Sequence, residues 1–395
     1  MVNHTYLDYG ASSPIGEDVI NTMVDVAKNY YGNPSSKHND GVEAHDIIAH
    51  ARKTIMDYIG GNEDDNLIFT SGATESNSIA IQGFCRAYNK VRIFYTPLEH
   101  EDIIQAVKYC TDHMSGVSSC EIPVDEGTGY VDIDGFDNLL FNARLKHPGE
   151  VFLIIIQLAN SEIGTIQLSE ILYDVIREYD DDDICIMSDI TQYLPYYRFK
   201  AFNPDMRMCI DIVTASAQKF GGLKGTGFLY VNSGWDIDPV IFGEQGVRGG
   251  TENVIGIAAM ETAIKHLDKT MEVKQKKLLF IYNYLKKKLS KIEGVEIIGD
   301  PFDRLINNLS FVCNTCDLSA QQIVELCNES GVSISAGSAC HNYSSEPSRT
   351  LLAIGLSPEK ANKVIRVTWG EYTTIDDICT FLDVYKEILA IHSKK

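Results

Sequence analysis

Lys219 sits in Ala217-Gln218-Lys219-Phe220-Gly221-Gly222-Leu223-Lys224-Gly225, directly after the apolar run 210–214 and among glycines that let a bound molecule approach the backbone. An amine so placed can form an imine. Thirty residues earlier, Asp189 follows a second apolar run, 184–187. A lysine and an acid on adjacent strand ends are what pyridoxal 5'-phosphate requires. The lysine holds the aldehyde, and the acid keeps the ring nitrogen protonated so that the ring can act as an electron sink.

Other residues fall in matching places. Phe69-Thr70-Ser71-Gly72-Ala73-Thr74-Glu75-Ser76 joins a strand to a helix through small residues, leaving N–H groups and hydroxyls at a helix N-terminus for a phosphate. The same Ser/Thr-then-Glu pattern is also an ordinary capping box. His100, which closes Tyr95-Thr96-Pro97-Leu98-Glu99-His100, can stack on a pyridine ring and shuttle protons near neutral pH. Asn160 can donate to a ring hydroxyl or a substrate carboxylate, as can Gln192, three residues past Asp189. Cys340 lies among the small and polar residues of 335–348, a composition that suits a surface loop. A thiolate there could attack the sulfur of a cofactor-bound amino acid and carry it away as a persulfide.

The elements that must position these groups are legible from apolar runs. Runs at 67–69, 91–95, 151–158, 184–187, 210–214 and 227–231 alternate with helical patterns, which predicts a mostly parallel sheet covered by helices on both faces. Ligands of such sheets bind beyond the carboxyl ends of the strands, where residues 70–74, His100, Asn160, Asp189 and Lys219 all fall. A long amphipathic stretch over 253–292 leads to a second region. Its strand signals at 295–298, 308–312, 332–334 and 365–368 and its helix at 320–330 predict a smaller α+β domain. Asp180 to Asp183 read as a solvated turn, and Cys313-x-x-Cys316 as a strand end and turn, so no metal site is expected.

Composition narrows the function class. The 395 residues are 44% hydrophobic, enough for two cores, and 34 basic against 55 acidic residues give a net charge of −21. Such a charge repels phosphate backbones and anionic membrane surfaces, so neither nucleic acid nor membrane is expected as a direct partner. No signal sequence or membrane span is evident, and the ten scattered cysteines imply a reducing compartment, so a cytoplasmic protein is expected. Cys185, Cys209 and Cys327 lie in apolar runs and read as small buried hydrophobes.

With these residues in view, the chain resembles the cysteine desulfurases of the class V aminotransferase family, in the nitrogen-fixation and housekeeping iron–sulfur group with a long catalytic loop. The resemblance rests on residues 6–14, Gly32-Asn33-Pro34-Ser35-Ser36-Lys37-His38, the 70–77 loop, Glu99 with His100, and 160–164. It continues through Asp189 with Gln192, 219–227, Arg248-Gly249-Gly250-Thr251-Glu252-Asn253-Val254, 337–348 and Arg366.

The resemblance implies a fold-type-I pyridoxal phosphate enzyme that takes sulfur from L-cysteine, releases L-alanine and leaves a persulfide on Cys340 for an acceptor. It implies that Lys219 is the Schiff-base lysine and proton carrier, that Asp189 pairs with the ring nitrogen and that His100 stacks on the ring. Ala73, Thr74, Ser216 and Gln218 would hold the phosphate, Gln192 the ring, and Asn160 and Arg366 the substrate carboxylate. Thr251 would complete the neighbouring subunit's phosphate site in a homodimer. A large cofactor domain is expected over 15–255, with 1–14 and 256–395 forming a small domain that carries the Cys340 loop.

Two residues depart from the family pattern. Gln218 replaces a common histidine, and Glu371 replaces an arginine near the expected substrate entrance. The chain ends at Lys395, and the scaffold-docking tail of housekeeping members is expected to be missing. The alternatives are a selenocysteine lyase or related lyase of the same fold, and a non-catalytic partner subunit in sulfur transfer. The acceptor, an iron–sulfur scaffold or a tRNA-thiolation protein, is open.

Overall fold

The computed structural model describes residues 4–167, 170–179, 183–203, 208–244, 246–337 and 347–392. Its larger sheet has seven strands in the spatial order Asn66–Thr70, Gly227–Val231, Ile212–Ser216, Ile184–Asp189, Val151–Ile155, Val91–Tyr95 and Val117–Glu121. Gly227–Val231 runs antiparallel to both of its neighbours. The other adjacent pairs are parallel.

The apolar runs are continuous because both faces of the sheet are covered. Along Val151–Ile155, Leu153 and Ile155 join the core under helices Ala73–Ala87 and Glu101–His113, while Phe152 and Ile154 join the core on the other face. The two-residue period of a strand divides them in this way. The second sheet is antiparallel and four-stranded, ordered Val295–Ile298, Asn308–Cys313, Ile365–Thr368 and Ser335–Ala336. Helix Val254–Leu289, capped by the Asn253 side chain on the Gly256 N–H, reaches from the large unit to this sheet. There the Leu278 carbonyl accepts from the Trp369 indole.

Some boundaries differ from the sequence reading. The run 151–158 is a strand only to Ile155, because beyond it Ile156 and Leu158 donate to Met187 and Asp189 on one edge while Gln157 N–H turns to the Glu99 carboxyl. The 210–214 strand is shifted to Ile212–Ser216. The edge strand Val117–Glu121 carries no apolar run and escapes a reading based on hydrophobicity. Cys185 and Cys327 are buried as expected, whereas Cys209 is only half-buried, since its two-residue strand Met208–Cys209 pairs outside the main sheets. Cys313 ends its strand and Cys316 is buried just beyond it. No cluster of metal-ligating side chains occurs among the described residues. Of the acidic run, Asp183 pairs with Arg144, and 180–182 lie outside the described residues. No described helix is long and apolar enough to cross a membrane.

Candidate active site

A cavity of roughly 390 Å³ opens at the carboxyl ends of the parallel strands. It is within the size range of small-molecule sites. Ala73, Thr74, His100, Asn160 and Asp189 line it, as do Gln192, Ser216, Gln218, Lys219 and Arg366. One constellation thus gathers residues spread over nearly 300 positions of chain.

Lys219 ends the short turn Ala217–Lys219 that follows strand Ile212–Ser216. Its Nζ donates to the carbonyls of Gly10 (2.5 Å) and Ala11 (2.9 Å), and Ser13 Oγ donates to the Lys219 carbonyl at 2.6 Å. The N-terminal segment therefore holds the amine at the cavity wall.

Asp189 is the last residue of its strand and is buried. Its Oδ1 accepts from the Thr191 N–H at 2.8 Å and its Oδ2 from Asn77 Nδ2 at 3.2 Å. Burial pushes this carboxyl up, with the neighbouring Asp102 adding to the effect. A cationic N–H brought against it would offset that penalty. Asn77 is oriented in turn by Thr214, whose hydroxyl donates to its Oδ1 at 2.6 Å.

The phosphate candidates flank the start of helix Ala73–Ala87, where Gly72 stands at the N-cap with φ of 150° and no side-chain cap. The expected capping box is replaced by Glu75, which accepts the Ser71 N–H at 2.7 Å and pairs with Arg248 at 2.8 Å. The N–H groups of the first helical turn thus have no capping side chain, which suits an anion. Gly227 is required here. A Cβ on it would lie 2.5 Å from the Ala215 carbonyl and 2.7 Å from Gly72 Cα, so the loop approaches this strand only because the side chain is absent.

His100 precedes helix Glu101–His113, and its Nδ1 lies 3.0 Å from Asp102 Oδ1. Burial works to raise the Asp102 carboxyl, but hydrogen bonds from His100, Thr74 and Asn77 prevail and hold it below the usual range. Glu99, 2% exposed, accepts from Thr96 Oγ1 (2.7 Å) and the Gln157 N–H (3.0 Å) through Oε1. Burial is the main cause that pushes it up to about 8.

Asn160 is largely engaged. Nδ2 donates to the Leu98 carbonyl at 3.1 Å, while Oδ1 accepts from Glu162 and Ile163 N–H groups, leaving one amide hydrogen for the cavity. Gln192 Nε2 donates to the Gly10 carbonyl at 2.9 Å. Arg366, 2% exposed, reaches the Ser161 carbonyl (3.1 Å) and Asp8 (3.0 Å).

Three expectations are not tested by this lining. Thr251 is exposed and does not line the cavity. Cys340 lies outside the described residues, along with 338–346. Glu371 lines a separate small pocket, where it accepts from His266 Nε2 at 2.9 Å, so its charge reversal is not at the cavity.

Sequence reasoning assigned no role to Asp8, Asn77, Glu99, Asp102, Thr191 or Arg349. Glu99 and Asp102 bracket His100 closely enough that adjacency was a usable signal, and Asp8 and Asn77 belong to matched segments. Arg349 had none. Its Nη2 donates to the Glu99 carbonyl at 2.8 Å.

Among the described residues, several buried polar atoms of this lining have no hydrogen-bond partner: Glu99 Oε2, Asp102 Oδ2, Thr191 Oγ1, Arg349 Nε and Arg366 Nε. Buried polar groups are ordinarily satisfied, so the cluster suits a polar ligand. A lysine amine, a buried carboxylate, an uncapped helix start and a cavity-lining imidazole together fit pyridoxal phosphate.

Comparison with known proteins agrees. The chain matches the family "Aminotransferase class-V" over residues 5–381. It is 35% identical to the cysteine desulfurase IscS of Dictyoglomus turgidum, over 98% of this chain and 95% of that protein. It is 30% identical to cysteine desulfurase IscS 1 of Archaeoglobus fulgidus, over 97% and 96%. The solved structure of a NifS-like protein superposes with a TM-score of 0.86 at 26% identity, covering 98% of this chain and all of the other. Matched along nearly its whole length, the chain belongs to the class V aminotransferase family.

Proposed function

We propose that this protein is a pyridoxal phosphate-dependent cysteine desulfurase, which takes sulfur from L-cysteine and releases L-alanine. The observation that carries the reading is the meeting of Lys219 Nζ, buried Asp189 and Arg366 in one cavity, in a chain whose relatives bear that name. When bound, the cofactor supplies an aldehyde for the amine and a ring that accepts electrons. The chain supplies the rest. Lys219 would hold the aldehyde, and its Nζ would take up the substrate's α-proton and give a proton back to the substrate's carbon skeleton. Asp189 keeps a ring N–H protonated, and the Asn77 and Thr191 contacts fix its carboxyl plane. His100, oriented through Nδ1 by Asp102, would stack on the ring.

Ala73, Thr74, Ser216 and Gln218 would hold the phosphate, and Gln192 would contact the ring. Asn160 and Arg366 take the substrate carboxylate. The sulfur leaves the substrate's β-carbon for the Cys340 thiolate, giving a persulfide, and that carbon takes a proton to become the methyl of alanine. The persulfide passes to an acceptor protein. We further infer a cytoplasmic homodimer in which Thr251 of each chain completes the other's phosphate site, with domains at 15–255 and at 1–14 plus 256–395.

The test uses the cofactor-loaded protein and L-cysteine, measuring alanine and, with a thiol reductant, sulfide. Both should appear in equal amounts. Cys340→Ser should keep the visible absorbance of the loaded enzyme and lose sulfide release. Full activity in that variant would refute the sulfur-relay role.

A further inference from the structure

Arg366 reaches the cavity from strand Ile365–Thr368, and a carboxylate stands behind it. Asp8 does not line the cavity, yet its Oδ1 lies 3.0 Å from Arg366 Nη2. The same oxygen accepts from Ser335 Oγ at 2.7 Å, and Ser335 is the residue paired with Arg366 across the sheet. Asp8 is itself held in place. The Thr368 N–H donates to the Leu7 carbonyl at 2.9 Å, and the Gly10 N–H to Thr368 Oγ1 at 2.8 Å. Two residues beyond Asp8, the Gly10 carbonyl accepts from Lys219. A single N-terminal segment thus touches both the guanidinium and the amine of the site.

We propose that Asp8 is a positioning residue that orients Arg366 from behind and, by cancelling part of its charge, holds down the cavity's affinity for an α-amino acid carboxylate. The inference rests on the reading above, in which Arg366 receives that group. A guanidinium this deeply buried would otherwise present a full charge in a medium that screens it poorly. Cysteine and alanine carry the same carboxylate. A tighter grip on it would stabilise substrate, product and transition state alike, and so would slow alanine's departure without speeding the chemistry. The Ser335 hydroxyl tempers the clamp by sharing the Asp8 oxygen.

Equilibrium binding of L-alanine and of L-alaninamide to the cofactor-loaded protein, read from the change in visible absorbance, tests the proposal. The amide keeps the amine and methyl but lacks the carboxylate. Asp8→Asn preserves an acceptor for Arg366 and Ser335 while removing the charge. It should bind L-alanine about ten-fold tighter and L-alaninamide within about two-fold of the wild type. Unchanged or weaker L-alanine binding, or an equal shift for the amide, would overturn the proposal. Should that variant not fold or load, Ser335→Ala carries the test. Asp8 is then left to Arg366 alone, and L-alanine should bind about two- to three-fold more weakly. No change in that variant would count against the clamp. If Arg366→Gln bound L-alanine as the wild type does, the carboxylate assignment itself would fall and the proposal with it, whereas failure of the Asp8 and Ser335 variants alone would leave that assignment standing.

Discussion

Burial beside the cavity pushes the Glu99 carboxyl up to about 8, which favours the protonated form at neutral pH, and among the described residues no cation is hydrogen-bonded to that carboxyl and Oε2 has no partner. The unfolded chain would release that proton near the ordinary value of 4.5, whereas the native protein keeps it up to about 8. Native protein therefore binds more protons than the unfolded chain between these limits, and this residue's contribution to stability is lost as pH rises through the window. Glu99→Gln is isosteric, does not ionise and keeps an acceptor for Thr96 and Gln157. We expect its stability relative to wild type, followed by denaturant unfolding, to climb between pH 5 and pH 8, with a total change of about a few kcal/mol at most. A constant difference across that range would show that Glu99 is already ionised. The identity of Lys219 and Asp189 as site residues is legible because each follows an apolar run. Glu99 also follows an apolar run, 91–95, but nothing in the sequence records that its carboxyl is buried.

At the scale of elements, the phosphate cradle depends on how closely a loop can lie against a strand. Gly227 pairs with both Ser216 and Thr70, the last residues of the two strands whose ends carry the phosphate candidates. Gly227→Ala would drive a methyl against the Ala215 carbonyl and the Gly72 backbone. Neither is the end of a flexible side chain, so the loop must move. We expect a loss of cofactor affinity of at least about ten-fold, with the far-ultraviolet spectrum of the fold retained. Titration with pyridoxal phosphate followed by visible absorbance checks it, and wild-type affinity would show that the loop yields without affecting the site. The strand Gly227–Val231 is legible as an apolar run, but its antiparallel direction is not. Direction is set by where the preceding turn returns the chain, and a run of buried residues reads the same either way.

At the scale of the molecule, the cavity is assembled from both sheets. Asp189, Ser216 and Lys219 come from the seven-stranded unit, while Arg366 comes from the four-stranded one. Among the described residues, Thr251 is a site candidate that does not line this cavity, being exposed on the segment before helix Val254–Leu289. If it serves a second copy of the chain, sedimentation should give twice the chain mass. Thr251→Ala should then weaken cofactor retention without disturbing the fold of either subunit. Full retention in a dimeric variant would remove Thr251 from the phosphate site. The charge of −21 bears on this scale too, since it disfavours association with nucleic acid, a property read from composition alone.

Spacing along the chain by itself determined six of the seven strands of the larger sheet and the line of polar residues at its carboxyl edge. Strands covered on both faces must be apolar throughout, so the first polar residue after each run marks where the strand leaves the core. It also placed the matched segments of the family in order. Only the tertiary structure decided what stands behind those residues. Asp8 meets Arg366 across 358 positions, and Asn77 meets Asp189 across 112. Such partners are chosen by distance in a poorly screened interior, where a few ångströms separate a paired charge from a costly one, and no periodicity in the chain records that distance.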